Sequence, residues 1–419
     1  MKSIKIALPG LEEDRYFAAS LQVCQRLKSA GHQAFLVGGC VRDLVMGIQP
    51  KDYDVTTSAL PQEVMDLFPK AIPVGVQFGV VNVRMKGFWF EVATFRGEDG
   101  YYDGRHPERV WFSSLEQDLQ RRDFTMNALV MDPSTGEITD MSEGLTAIDR
   151  RIIRAIGDPL KRFEEDRLRM LRAVRFSAQT GFTIDPETLQ AIATLAPKIA
   201  RVSRERIRKE MEELLTTANP EKGLVLALDL GLLRIFLPAI VDYGRQRLLE
   251  LGGLIPKIKE MPAKWAVLLK DCGSQAAYMA MLGLKHSNKV CNTVRSTIEG
   301  LKRLASFSKL GLADQKRLVR SDEFVFVYDV ARVCDQKIGI TKQEIRQAGR
   351  LLETSSKDDL FPPALLTGDD IKAMGYIPGP AFARVIAALE DARLSGDIVN
   401  REQAVKLVHQ LMAWEKKDS

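Results

Sequence analysis

The chain has 419 residues, 45% of them hydrophobic and 27% charged, and carries a formal net charge of +5 with a pI near 8.8. That is the balance of a soluble globular protein with room for two or more cores, and no apolar run reaches the roughly 18 residues that a membrane span needs. Five scattered cysteines without a CxxC pair, and four histidines without an acidic neighbour, argue against a disulfide framework, a zinc cage and a histidine-based metal hydrolase.

MKSIKIALPGLEEDR is a poor secretory signal, because Pro9 and three acids follow its short apolar stretch. Together with the cysteine usage this predicts a cytoplasmic protein. Residues 16–31 have Phe17, Leu21, Cys24 and Leu27 at helical spacing, and Gly31 ends the pattern. AFLVGG reads as a buried strand closed by two glycines, VRDLVMG as two turns of helix, and YDVTTS as a second strand. PQEVMDLF is a helix with proline at its start. FGVVNVRM and FWFEVATFR alternate like the arms of a hairpin turning at Lys86-Gly87. RGEDGYYDGRHPERVWF, with Tyr101 and Tyr102 near its centre, reads as a long exposed loop or hairpin. From about Gly144 onward strand signals nearly vanish. Leu160–Gln179, Arg204–Thr217, Gly223–Asp229 and a series running to Arg401–Lys416 have helical patterns, punctuated by prolines. The predicted fold class is α+β, a small antiparallel-sheet head followed by an all-helical body.

Three clusters carry chemistry. In FLVGGCVRDLVMGIQPKDYDVTT, Asp52 and Asp54 lie two apart on a predicted strand, so both carboxylates share a face. Such a pair, with a further oxygen donor, suits Mg²⁺. Gly38-Gly39 stands between a strand and a helix start, where phosphate oxygens can approach the backbone. A lone DxD is usually a solvated turn and a lone GG means less; the order strand, GG, helix, strand, DxD is far more specific. It resembles the polymerase-β-like nucleotidyltransferase superfamily. Glu91 on the next strand is a candidate third carboxylate, against the bland reading of an edge-strand glutamate.

RRDFTMNAL at 121–129 is a polar cluster leading into a predicted helix. Arg122 can grip a triphosphate through its planar fork, while Asp123 and Asn127 can meet a ribose or simply cap the helix. FEEDRLRMLRAVRFSAQTGF is read as one helix, with Asp166, Arg169, Arg172 and Arg175 on a slanting charged stripe. The bland reading of the stripe is a solvated face.

In order and spacing, VGGCVRD with Asp52-x-Asp54, RRDFTMNAL and EDRLRMLRAVRF resemble three motifs of the class II tRNA nucleotidyltransferases, the CCA-adding enzymes and related bacterial poly(A) polymerases. SRERIRKEMEELL and TGDDIKAMGYIPGPAFARVIAALEDARLSGDI are similar to further segments of that family. The resemblance implies a head, neck, body and tail, taken here as 1–143, 144–215, 216–320 and 321–419. It implies Mg²⁺ on Asp52 and Asp54, and nucleotide contacts from Gly39, Arg42, Arg122, Asp123, Arg172 and Arg175. Asp166 and Arg169 would select the incoming base as a protein template. Expected substrates are tRNA, CTP and ATP; no membrane and no obligatory protein partner are expected.

Two departures are visible. The family's leucine pair after VRD is interrupted, with Val45-Met46 following Leu44, and no HD pair marks the phosphohydrolase domain of some bacterial members. The full-length 96–112 segment argues against CC-only addition, and the absence of a GRRF-like string before the second motif argues against a poly(A) polymerase. Addition of A alone stays open beside full CCA addition.

Overall fold

Eight strands form one sheet, in the order β1 (Lys2–Lys5), β10 (Glu137–Asp140), β9 (Leu129–Asp132), β2 (Ala34–Val37), β3 (Val55–Thr57), β6 (Phe88–Thr94), β5 (Val80–Met85), β4 (Ala71–Gly75). They come from a computed structural model that describes residues 2–7, 10–11, 13–75, 79–101, 107–334, 338–377 and 379–415. Every neighbouring pair is antiparallel except β3 and β6, so the sheet is mixed. The order puts β2 and β3, which carry the glycines and aspartates at their ends, in the middle.

Alternation along each strand sends side chains to two cores. Leu36 faces a cluster with Phe17, Leu27, Tyr53 and Phe90, covered by helix α1 (Arg15–Ser29), whereas its neighbour Val37 joins Leu119, Ala128 and Val130 on the other side. Asp14 caps α1 by accepting from the Tyr16 N–H at 2.9 Å, and its other oxygen accepts from the Tyr53 hydroxyl. The hairpin between β5 and β6 turns at Lys86 (φ 50°) and Gly87 (φ 95°), as the sequence pattern predicts. The 96–112 segment is a hairpin too, β7 (Arg96–Tyr101) against β8 (Pro107–Phe112), in a sheet of its own. Tyr102 and His106 lie outside the described residues.

Two expectations are corrected. RRDFTMNAL does not lead into a helix: a single 3₁₀ turn, Thr125–Asn127, passes directly into β9. The run LVMD there is short and apolar, and pairing with β2 and β10 decides its state. The predicted helix Leu160–Gln179 is two helices, α6 (Pro159–Glu165) and α7 (Leu168–Thr180), separated at Asp166, whose backbone is extended (φ −139°, ψ 105°). The Asp166 carboxylate accepts from the Leu168 N–H at 3.1 Å, so the aspartate starts α7 instead of extending a stripe along it.

Helix α8 (Pro186–Leu195), unread in the sequence pattern, is followed by α9 (Arg204–Leu215) and α10 (Pro220–Asp229), both packed on α7. A Cβ on Gly223 would stand 2.4 Å from Leu214 Cδ1, so α10 can cross this closely only without a side chain there. The chain divides into two compact units, residues 1–253 and 254–419. The second is helical, from Met261–Leu269 to Arg401–Glu415, and its last part has its own core of Ile371, Phe382, Val385, Leu389 and Val408. Among the described residues no helix is long and apolar enough to cross a membrane.

Candidate active site

Asp52, Tyr53 and Asp54 precede β3; that strand begins at Val55, not at Tyr53 as the pattern suggests. The alternation still holds across them. Tyr53 is buried in the α1 core, Asp52 is exposed and Asp54 is half-buried, so the two carboxylates share the face away from α1. The Val37 N–H donates to the Asp54 carbonyl at 3.0 Å and fixes this segment to β2. Val55 pairs with Val92 in parallel register, and one step back along both strands brings Asp54 beside Glu91. Electrostatics agree: burial, then the charges of Glu91 and Asp52, push the Asp54 carboxyl up to about 7, against the pull of Arg122. Glu91 thus belongs to the carboxylate face. Among the described residues no three His, Cys, Asp or Glu groups stand close enough to cage an ion by themselves.

The two glycines differ. Gly38 is buried, has φ 81°, and donates its own N–H to the Leu129 carbonyl at 3.2 Å. A Cβ there would lie 3.3 Å from Arg122 Nη1 in a conformation that L-residues rarely adopt. Gly39, half-exposed, opens helix α2 (Gly39–Val45). Cys40 beneath them is buried and its thiol is pushed up to about 12, chiefly by burial, which makes it a packing residue and not a nucleophile. Arg42 is buried and turns inward, donating to Asn127 Oδ1 at 2.8 Å and to Asp43.

The second motif surrounds one carboxylate that sequence reasoning missed. Asp118 is fully buried on α4 (Leu115–Gln120) and accepts from Arg121 at 2.7 and 3.0 Å and from Arg122 at 3.3 Å. Burial alone would raise its pKa, but Arg122 and Arg121 outweigh it and hold the carboxyl below its ordinary value. Arg122 Nε is buried with no hydrogen-bond partner among the described residues. The guanidinium lies against Gly38, and its charge acts on Asp54. The i, i+4 spacing of Asp118 and Arg122 was the available signal.

The arginines of α7 are not on a solvated face; each is bonded to named acceptors. Arg172 donates to Asp123 Oδ2 at 2.9 Å and to Glu210 at 3.3 Å. Arg175 donates to Glu210 at 2.6 Å and stacks 4.1 Å over Phe176, whose ring also has Arg42 and Arg172 at 5.3 Å. Asp123 accepts from Asn127 and Phe124 on its other oxygen. Burial would raise its pKa, but Arg172 outweighs that and holds the carboxyl at about 2. Arg169 is 8% exposed and donates to Glu165 at 2.7 Å and to the carbonyls of Arg162 and Arg121. Asp166 takes a two-pronged hydrogen bond from Arg206, at 3.0 and 2.7 Å. Arg206 and Glu210, four apart on α9, were missed as site residues; their shared helix face inside SRERIRKEMEELL was the readable clue.

Glu210 is 7% exposed and serves two arginines. Glu210→Ala should destabilise residues 1–253 by about 3 kcal/mol, since one partner of a buried ion pair is left without compensation. Thermal unfolding tests this; an unchanged midpoint would mean the network is a surface ornament.

The geometry joins a carboxylate face, the Arg122 guanidinium lying against Gly38, and an Asp–Arg pair at the break between α6 and α7. A Poly A polymerase head domain model matches residues 34–154, "Probable RNA and SrmB- binding site of polymerase A" matches 181–243, and a tRNA nucleotidyltransferase domain 2 model matches 257–408. The CCA-adding enzyme of Lactiplantibacillus plantarum is 34% identical over 401 residues, 93% of this chain and 95% of that protein. That of Geobacillus stearothermophilus is 36% identical over 395 residues, again 93% of this chain and 95% of its relative. The crystal structure of the Bacillus stearothermophilus CCA-adding enzyme in complex with CTP has a TM-score of 0.79 at 33% identity, over 96% of this chain and 100% of that one.

Proposed function

The chain belongs to the CCA-adding enzymes, a family of tRNA nucleotidyltransferases, and on that footing we infer that it adds C and A residues from CTP and ATP to the 3′ end of tRNA, releasing pyrophosphate. Its family works with a divalent metal, and we assign Mg²⁺ to Asp52 and Asp54. The donor set fits: carboxylate oxygens on one face, Asp52 exposed and Asp54 half-buried, with burial and then the charges of Glu91 and Asp52 raising the Asp54 pKa to about 7. Mg²⁺ takes one or two carboxylates plus substrate phosphates, so two aspartates suffice and Glu91 adds field. When bound, the ion supplies Lewis acidity at the phosphates and favours the deprotonated 3′-hydroxyl.

The protein's own groups do the rest. Arg122, whose guanidinium lies against Gly38, holds the triphosphate, and Gly39 lets it approach the backbone. Asp166 and Arg169 read the base edge, one offering acceptors and the other donors. Arg42 supports this from behind by tying α2 to Asn127. Asp123 orients Arg172 toward the nucleotide and, with Arg175, keeps α7 and α9 in register through Glu210. We assign residues 1–143 to the head, 144–215 to the neck, and 216–320 and 321–419 to the body and tail that hold tRNA; these are divisions of role.

The observation that carries the reading is the carboxylate face of Asp52, Asp54 and Glu91 set against Arg122 and Gly38. The test uses three tRNA transcripts, ending before CCA, after CC, and complete, each with CTP, ATP, UTP or GTP. CTP alone should add two Cs to the first and CTP with ATP the full CCA; ATP should add one A to the second, and nothing should be added to the third. EDTA should stop all of it and Mg²⁺ restore it. Addition of A only to the CC-ended transcript would make this an A-adding enzyme, and a long A tail a poly(A) polymerase.

A further inference from the structure

We propose that Trp89, braced by Arg84, is a stacking platform for the single-stranded 3′ end of the tRNA primer; this rests on the tRNA reading above. Trp89 alternates with the core residue Phe90 and the partly buried Phe88, so it shares the open face of β6 with Glu91. It is 42% exposed, an unusual state for the largest apolar side chain on a sheet face that also holds the catalytic carboxylates. Its position is held, not loose. The Tyr16 hydroxyl donates to the Trp89 carbonyl at 3.1 Å, and Tyr16 stacks on Phe88. Arg84, the cross-strand partner on β5, places its guanidinium 5.8 Å from the indole centroid. Lys86 at the turn is exposed, and Ile72, 49% exposed on edge strand β4, pairs with Asn82, the cross-strand partner of Glu91.

Direction along β6 identifies the occupant. Arg96, two residues beyond the strand's end, donates its N–H to Asp118, the carboxylate that holds Arg121 and Arg122, and Arg169 bonds the Arg121 carbonyl. The phosphate and base-reading groups therefore lie at the Thr94 end of the strand, and Trp89 lies toward the other end with Glu91 between them. In-line attack on the α-phosphorus requires the 3′-hydroxyl to arrive opposite the leaving pyrophosphate. The primer then comes from the Trp89 end. Trp89 and Glu91 are two residues apart, roughly 7 Å along a strand, comparable to one nucleotide step of an extended chain. An exposed indole beside Arg and Lys is the chemistry that grips single-stranded RNA without choosing its sequence, as an enzyme must that accepts three different 3′ ends.

The test compares wild type with Trp89→Ala, Trp89→Phe and Arg84→Ala on CC-ended tRNA and ATP. Trp89→Ala should raise KM for tRNA roughly 5- to 100-fold, with KM for ATP unchanged. Trp89→Phe should recover most of the loss, which a merely structural role would not require. Arg84→Ala should lower the salt slope of tRNA binding by roughly 0.7. An unchanged KM for tRNA in a folded Trp89→Ala enzyme overturns the platform while leaving CCA addition standing. A parallel rise in the KM for ATP overturns it too, by placing Trp89 with the nucleotide. Failure of the wild type to extend any tRNA overturns the underlying reading instead.

Discussion

Asp52→Ala and Asp54→Ala enzymes will bind tRNA as wild type does and add nothing to it. The expected loss in kcat is at least about 10³-fold, because the field that stabilises a phosphoryl-transfer transition state is built before the substrate arrives and cannot be improvised by water. Stability separates this from a folding defect. Burial, and then the like charges of Glu91 and Asp52, raise the Asp54 carboxyl to about 7. In EDTA the native chain therefore keeps a proton that the unfolded chain releases above pH 4 or so. Between that pH and about 7 the native state binds more protons, so metal-free stability falls as pH rises. Asp54→Asn removes the charge, so in EDTA it should melt higher than wild type at pH 8 and lose that part of the pH slope. An inactive variant that melts lower would point to a structural aspartate and retire the metal assignment.

Arg169→Ala should cost discrimination more than affinity. The ratio of kcat/KM for CTP or ATP over UTP or GTP is expected to fall about 10- to 100-fold, the worth of one good bidentate base contact. The tRNA Kd should stay within about two-fold. Arg169 also ties Glu165 to the Arg121 and Arg162 carbonyls, so its loss will cost about 1–3 kcal/mol of stability. That cost lowers turnover with all four triphosphates alike and cancels in the ratio. Arg169→Lys keeps the charge but not the fork, and should behave nearer to Ala than to wild type. Equal discrimination in all three enzymes would show that Arg169 does not read the base.

Much of the site was legible because its determinants are local. Gly38, Asp52 and Asp54 lie on one short segment whose alternation survives even though β3 begins after them. Legibility failed where pairing across the chain decides. LVMD is too short to declare itself a strand until β2 and β10 flank it, and a helical period ran unbroken through Asp166, where two helices meet. The charged stripe was the sharper lesson. Spacing put Arg169, Arg172 and Arg175 in order but could not say that Glu165, Asp123 and Glu210 were waiting for them. Two of those acids sit roughly 40 residues away in the chain, beyond the reach of any periodicity.

The two-pronged bond from Arg206 to Asp166 has a kinetic meaning. On the proposed base-reading role, the Asp166 acceptors are bonded to the Arg206 guanidinium, and Arg169 is bonded to Glu165. An arriving triphosphate does not fill a blank mould; it must displace occupants. Cytosine and adenine recover in new bonds what the exchange breaks, whereas a base with the wrong edge breaks the same bonds and recovers fewer. The protein is thus a competitor at its own template, and each addition is a contest between Arg206 and the edge of a base.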